Sequence, residues 1–190
     1  MQGAFAEHVR ALEQVGATAF ELRTLEQLDR CDAIVIPGGE STAIRKALDR
    51  AGLLDPLHTR IASGLPAFGT CAGMIVLARN EPGAIEPGGT PSCFGVLDID
   101  VQRNGWGRQV NSAEMAIEFD DGARASSVFI RAPRISRLGD GVEVVARIAS
   151  GSAQGEPVAV RQGTLLAAAF HPELTPDRTL HRRFIDMIDR

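Results

Sequence analysis

Apolar positions along this chain follow two rhythms, and the change between them divides it. In residues 3–15, Phe5, Val9, Leu12 and Val15 recur at helical spacing and Gly16 closes the run, which predicts a helix. Residues 19–22 read as a short strand. Ala33-Ile34-Val35-Ile36 is a continuous apolar run of the kind found in strands buried on both faces, and Pro37-Gly38-Gly39 ends it. A helix capped by Ser41 or Thr42 is expected to run to about Arg50, and another over residues 55–63 to stop at Gly64. Residues 66–68 form a short strand and residues 73–79 a helix, with one tight turn between them.

Beyond a Gly- and Pro-rich stretch at residues 80–91, which reads as an exposed loop, strands dominate. They are expected at residues 96–102, 113–119, 127–131, 142–147, 157–161 and 165–170. A last helix covers residues 179–188, with Leu180, Phe184, Ile185 and Ile188 on one face. Alternation of strand and helix in the first half argues for an α/β fold with a mostly parallel sheet covered on both faces. With 190 residues and no repeats or linkers, one domain over residues 1–190 is expected.

Composition narrows the functional classes. The hydrophobic fraction is 44% and the charged fraction 23%, ordinary for a globular protein. A net charge of −4 gives no nucleic-acid surface. No apolar run is long enough to span a membrane, and the first residues do not resemble a signal peptide, so a cytoplasmic protein is expected. Cys31, Cys71 and Cys93 are few, odd in number and unpaired in spacing. They suit a reducing compartment better than a disulfide framework and make no zinc pattern, and no metal or other cofactor is expected.

One of those cysteines sits where chemistry is expected. Gly69-Thr70-Cys71-Ala72-Gly73 places a nucleophile between two glycines at a strand-to-helix turn. Such a turn is tight and lifts the side chain above the sheet, with the next helix aiming its first amides at the sulfur. The Ala72 amide is placed to donate to a developing oxyanion. A buried structural cysteine in a Gly-rich turn is the bland alternative.

A thiolate also needs an acid for its leaving group. Among the four histidines, His8 and His58 are expected on solvated helix faces and His181 on the surface of the last helix. His171 instead follows the apolar strand at the end where open α/β sheets bind ligands. Glu173, two residues on, faces the same way in an extended segment and can orient the imidazole, while Pro172 stiffens the pair. Pro37-Gly38-Gly39-Glu40-Ser41 is a second strand-to-helix turn in which glycines allow a close backbone approach.

In this order the three segments resemble class I glutamine amidotransferases. Pro37-Gly38-Gly39-Glu40-Ser41-Thr42, Phe68-Gly69-Thr70-Cys71-Ala72-Gly73, Arg103-Asn104 with Gly107-Arg108-Gln109, Phe129-Ile130-Arg131-Ala132-Pro133 and Phe170-His171-Pro172-Glu173-Leu174-Thr175 narrow the resemblance to the glutaminase subunits of pyridoxal phosphate synthase. The resemblance implies a three-layer, flavodoxin-like fold. It implies Cys71 as nucleophile, His171 as acid and base, Glu173 as its orienting group, and the Gly39 and Ala72 amides as oxyanion hole. It places L-glutamine against Gly39, Glu40, Ser41, Arg103, Ile130 and Arg131, and it sends ammonia to a separate synthase subunit. Amidotransferases that serve nucleotide or histidine synthesis keep the same triad but lack the Arg103 and Ile130-Arg131-Ala132-Pro133 segments.

Family members open with a short apolar strand ending in Leu-Gln-Gly, and Met1 stands here where that leucine falls. A first, central strand is therefore expected to be missing, with two neighbours left unpaired at a cost comparable with a domain's whole stability, about 5–15 kcal/mol. Because every site residue is intact, a longer natural chain is the favoured expectation. The loop at residues 80–91 is expected to be a tolerated surface insertion.

Overall fold

The computed structural model describes residues 4–80, 93–106 and 112–188. The Gly107-Arg108-Gln109 segment, Met1 to Gly3 and nearly all of the loop at residues 80–91 lie outside those residues.

Among the described residues, six α-helices carry the helical rhythm: α1 (Phe5–Gln14), α2 (Leu25–Asp29), α3 (Ser41–Arg50), α4 (Leu54–Ala62), α5 (Ala72–Leu77) and α6 (Thr179–Ile188). Ten strands follow the other: β1 (Ile34–Ile36), β2 (Ala67–Thr70), β3 (Ala78–Asn80), β4 (Leu97–Gln102), β5 (Ser112–Phe119), β6 (Arg124–Ile130), β7 (Arg134–Leu138), β8 (Glu143–Ile148), β9 (Pro157–Gln162) and β10 (Leu165–Ala168). Seven form one sheet in the order β1-β2-β10-β9-β8-β5-β6, and β3-β4-β7 form a small second sheet. The β1, β2 and β10 strands run parallel, and from β10 outward every pairing of the large sheet is antiparallel. The parallel part is thus the strand-helix half of the chain plus β10, which returns from the C-terminal half to lie beside β2.

Alternation along β2 shows how the layers are built. Phe68 packs against Phe184 of α6, with ring centroids 5.6 Å apart, and Thr70 meets His8 of α1. Gly69 faces the other way, so close to α5 that a Cβ there would lie 2.5 Å from the Gly73 carbonyl oxygen. With α1 and α6 on one face and α5 on the other, β2 and β10 are buried along their whole length, as their apolar runs require.

Several elements depart from the sequence reading. Residues 19–22 form no strand. The β1 strand pairs with β2 along one edge, and among the described residues no strand covers its other edge. Between that edge and residues 17–22 lies a cavity of about 470 Å³, lined by Val9, Leu12, Leu22, Val35 and Ile44 among others. A single apolar segment cannot hold strand geometry without a ladder partner, which accounts for the unpaired residues 19–22. Helix α2 was not expected; a capping box holds it, in which the Thr24 hydroxyl accepts from the Gln27 amide and the Gln27 side chain accepts from the Thr24 amide. The α3 cap is Glu40 rather than Ser41 or Thr42: its carboxylate accepts from the Thr42 and Ala43 amides at 3.0 and 2.8 Å. His8 and His181, expected at the surface, are 2% and 0% exposed.

Candidate active site

The end of β2, the start of α5 and the turn after β10 meet at one point above the parallel strands. Cys71 occupies the turn between β2 and α5 with φ 50° and ψ −106°, a conformation that L side chains rarely adopt. Its amide donates to the Ala168 carbonyl of β10 at 2.8 Å, which pins the turn to the neighbouring strand. The flanking glycines are required by close approach. A Cβ at Gly73 would strike the backbone carbonyl of Ile36, and one at Gly69 would strike Gly73 and Leu77. The Gly-x-Cys-x-Gly spacing therefore lets α5 sit directly on β1 and β2.

His171 follows β10 and is held at both ends. Its amide donates to the Val128 carbonyl of β6 at 2.9 Å, and its Nδ1 lies 2.8 Å from Glu173 Oε1. Pro172–Leu174 forms one 3-10 turn that brings the carboxylate under the ring. His171 and Glu173 are 8% and 4% exposed, so water screens their interaction little. Burial alone would lower the His171 pKa, but hydrogen bonding to Cys71 and Glu173 outweighs it and pushes the value up to about 10. Burial would likewise raise the Glu173 carboxyl; the hydrogen bond from His171 and the charge on that ring hold it below the ordinary carboxylate range. A ring protonated at neutral pH thus stands beside the cysteine, and part of that hold comes from the sulfur itself.

The second glycine turn closes the other side. A Cβ at Gly38 would run into the His171 ring and come within 3.3 Å of the Cys71 Cβ, so only glycine allows the β1–α3 turn to touch the pair. Gly39 has φ 149°, again open to glycine. Next, Ser41 is buried, and its hydroxyl has no hydrogen-bond partner among the described residues. Glu40 also faces Arg103, Oε1 to Nη1 at 3.6 Å. Burial would raise the Glu40 carboxyl, but the Thr42 and Ala43 amides hold it below its usual value.

Ile130 ends β6 with its carbonyl 3.7 Å from Cys71 Sγ, and Arg131 follows, exposed, with φ 44°. Cys71, Asn104 and Arg131 are the non-glycine residues with positive φ among those described, and all three fall in segments singled out by their sequence. Such strain persists only where the surroundings over-determine it, and it gathers at working sites.

Cys71, His171, Glu173, the Gly38 turn and the Ile130 carbonyl therefore border one small region, and Arg103 faces Glu40 beside it. The profile of the SNO glutamine amidotransferase family matches residues 1–190. This chain belongs to the SNO glutamine amidotransferase family. Within that family it is 50% identical over 187 residues to a pyridoxal 5'-phosphate synthase subunit PdxT from Mycolicibacterium vanbaalenii, covering 97% of this chain and 93% of that one. It is also 50% identical over 190 residues to the protein of the same name from Acidothermus cellulolyticus, covering 99% and 90%. A crystal structure described as a glutamine amidotransferase superposes with a TM-score of 0.87 at 44% identity, over all of this chain and 96% of that one. A structure of PurLQS from Thermotoga maritima, 15% identical, shares the fold with a TM-score of 0.66 over 98% of this chain and 92% of that one.

The sequence reading missed three parts of this candidate site. Gly38 shapes it by packing on His171, and Thr70 and His8 stand behind Glu173. A signal for His8 existed: it lies three residues after Phe5 and four before Leu12, beside the apolar stripe of α1 rather than opposite it.

Proposed function

We propose that this chain is the glutaminase subunit of a pyridoxal phosphate synthase, working as one amidotransferase unit in the cytoplasm. Cys71 attacks the side-chain amide carbon of L-glutamine, and the oxyanion that forms is held by the Gly39 and Ala72 amides. His171 gives its proton to the departing nitrogen, releasing ammonia and leaving a γ-glutamyl thioester on Cys71. It then takes a proton from water, which attacks the thioester and frees glutamate. Glu173 keeps the ring in register through both steps.

The observation that carries this reading is the strained Cys71 turn beside a buried His171–Glu173 pair at 2.8 Å. It also supplies a reason for proton transfer in the right direction. The sulfur helps hold the His171 proton in the resting site. Once the sulfur is bonded to carbon that hold disappears, and the ring becomes a stronger acid as the leaving nitrogen needs a proton.

The Glu40–Arg103 pair fits an amino-acid substrate. Glutamine brings an α-ammonium and an α-carboxylate, which can pair with Glu40 and Arg103 in place of their contact with each other. Ser41 and the ends of β6 at Ile130 and Arg131 complete the pocket. Relatives that bear the name of a pyridoxal 5'-phosphate synthase subunit support a synthase subunit as the taker of ammonia. The test is glutamate release from glutamine with and without such a synthase subunit. Release that rises with the partner and carries glutamine nitrogen into pyridoxal phosphate is expected. Release unaffected by the partner, with no nitrogen transferred, would overturn the assignment of the acceptor.

A further inference from the structure

Behind the triad lies a second set of buried polar groups that hydrolysis as described does not use. His8 Nε2, on α1, is 3.2 Å from Glu173 Oε2 and 3.0 Å from Thr70 Oγ1. His8 Nδ1 is 3.0 Å from His181 Nε2, on α6. Both rings sit against Phe68, at centroid distances of 6.2 and 5.8 Å. Neither ring reaches solvent.

The proton positions follow from the neighbours. A lone pair on His8 Nε2 would face the Glu173 carboxylate, so Nε2 carries the hydrogen. His8 Nδ1 is then an acceptor, filled by His181 Nε2–H. His181 Nδ1 is left as a bare acceptor, and it has no partner among the described residues. Burial lowers the pKa of both rings, that of His181 to about 3, so both are neutral in this arrangement. The His8 Nε2–H donates to Thr70 Oγ1, and Glu173 Oε2, 3.2 Å from the same nitrogen, accepts no hydrogen bond among the described residues and meets only the electropositive edge of the ring. Glu173 is thus approached by His171 at Oε1 and by His8 at Oε2.

We infer that His8 and His181 are positioning residues of the glutaminase: a neutral pair that clamps the second oxygen of Glu173 and so fixes the plane in which His171 is held. A carboxylate held at one oxygen can swing about that bond, whereas one approached at both cannot. Thr70 and Cys71 are adjacent in sequence, so the clamp is attached to the nucleophile's own strand. This inference rests on the glutaminase reading. The charged and titratable groups facing the clamp are Glu173 in the 3-10 turn, His171 just before it, Glu7 on α1 and Arg178 just before α6.

The test compares His8→Phe, which removes the donor but keeps the bulk, with His8→Gln, which restores an N–H. With His8→Phe, kcat is expected to fall about tenfold to a hundredfold, as when an outer-shell partner that orients a metal ligand is removed. KM is expected to stay within about twofold. The acid limb of kcat/KM should move to higher pH, because Glu173 loses a group that favours its charged form. His8→Gln should bring the limb back. A purely structural role would lower activity without moving the limb, and that result, or an unchanged kcat, would overturn the inference. Should His8→Phe fail to fold, His181→Phe carries the test: it leaves His8 in place but free to tilt, and the same limb should move by less, whereas an unmoved limb overturns the inference. Alkylation of Cys71 by iodoacetamide across pH, followed in the same variants, reads the His171 environment without glutamine. A silent wild type in the glutamine assay would therefore count against the glutaminase reading, while an alkylation profile unchanged by His8→Phe would count against the clamp.

Discussion

At the scale of single residues, function depends on atoms that are absent as much as on those present. Gly38 and Gly73 both forbid a Cβ, for different reasons. At Gly38 the obstacle is the His171 ring, a movable side chain at the site. At Gly73 it is the Ile36 backbone, in the core. Gly38→Ala is therefore expected to keep the melting temperature nearly unchanged while lowering kcat by about a hundredfold, the scale of a 1 Å misplacement of a reacting group. Gly73→Ala should instead destabilise the fold by about 1–3 kcal/mol, the usual cost of overpacking. Thermal melts and turnover measured on both variants check the contrast; equal effects on both readouts would contradict it. Cys71, His171 and Glu173 were legible in the sequence because their chemistry depends on local spacing at strand ends. His8 and His181 were not, because 173 positions separate them and only the packing of α1 against α6 brings them together.

At the scale of elements, the start of α3 joins stability to the proposed substrate site. The Glu40 carboxylate closes two amides of the first turn and faces Arg103 at the same time. Glu40→Ala should cost about 1 kcal/mol of stability, as lost caps do, and should raise KM for glutamine with little change in kcat. A denaturant melt and a saturation curve measure the two parts separately; a variant of unchanged KM would remove Glu40 from the substrate site. Helix boundaries were readable to within a residue or two for α1, α3, α4 and α6, where apolar spacing is regular. The cap was misread because Ser41 and Thr42 are the commoner capping types, whereas the helix begins at Ser41 and the Glu40 carboxylate before it reaches the Thr42 and Ala43 amides. The β7 strand was missed because its apolar positions are only Ile135 and Leu138, with arginine and serine between and before them.

At the scale of the whole molecule, two buried features set how the protein responds to its surroundings. His8 and His181 have folded pKa values below the unfolded value near 6.5, that of His181 about 3. Their contribution is full above pH 6.5, and it is lost as pH falls from 6.5 toward the folded values, because the unfolded chain takes up protons first. The slope approaches about 1.4 kcal/mol per pH unit for each ring. Melting temperature should drop between pH 7 and pH 5, and less so in His181→Phe; an equal drop in both would locate the acid sensitivity elsewhere. His171 works in the opposite sense. Its raised pKa gives stability that is complete below pH 6.5 and fades as pH climbs toward about 10. The edge of β1 that no strand among the described residues covers, with the cavity beside it, forms the second feature. A short apolar segment joined ahead of residue 1, long enough to lie along β1, should raise the melting temperature by several degrees; an unchanged value would show that the edge gains nothing from a partner. The sequence could not show that residues 19–22 form no strand beside that edge, because a short apolar run gives no sign of whether it has a ladder partner. The central claim, that Cys71 is the nucleophile of a glutamine site, is tested most directly by intact and peptide mass spectrometry after treatment with an electrophilic glutamine analogue. A single adduct on Cys71, suppressed by excess glutamine and absent in Cys71→Ala, is the result predicted here. Labelling spread over Cys31 and Cys93, or labelling of Cys71 that glutamine does not suppress, would contradict it.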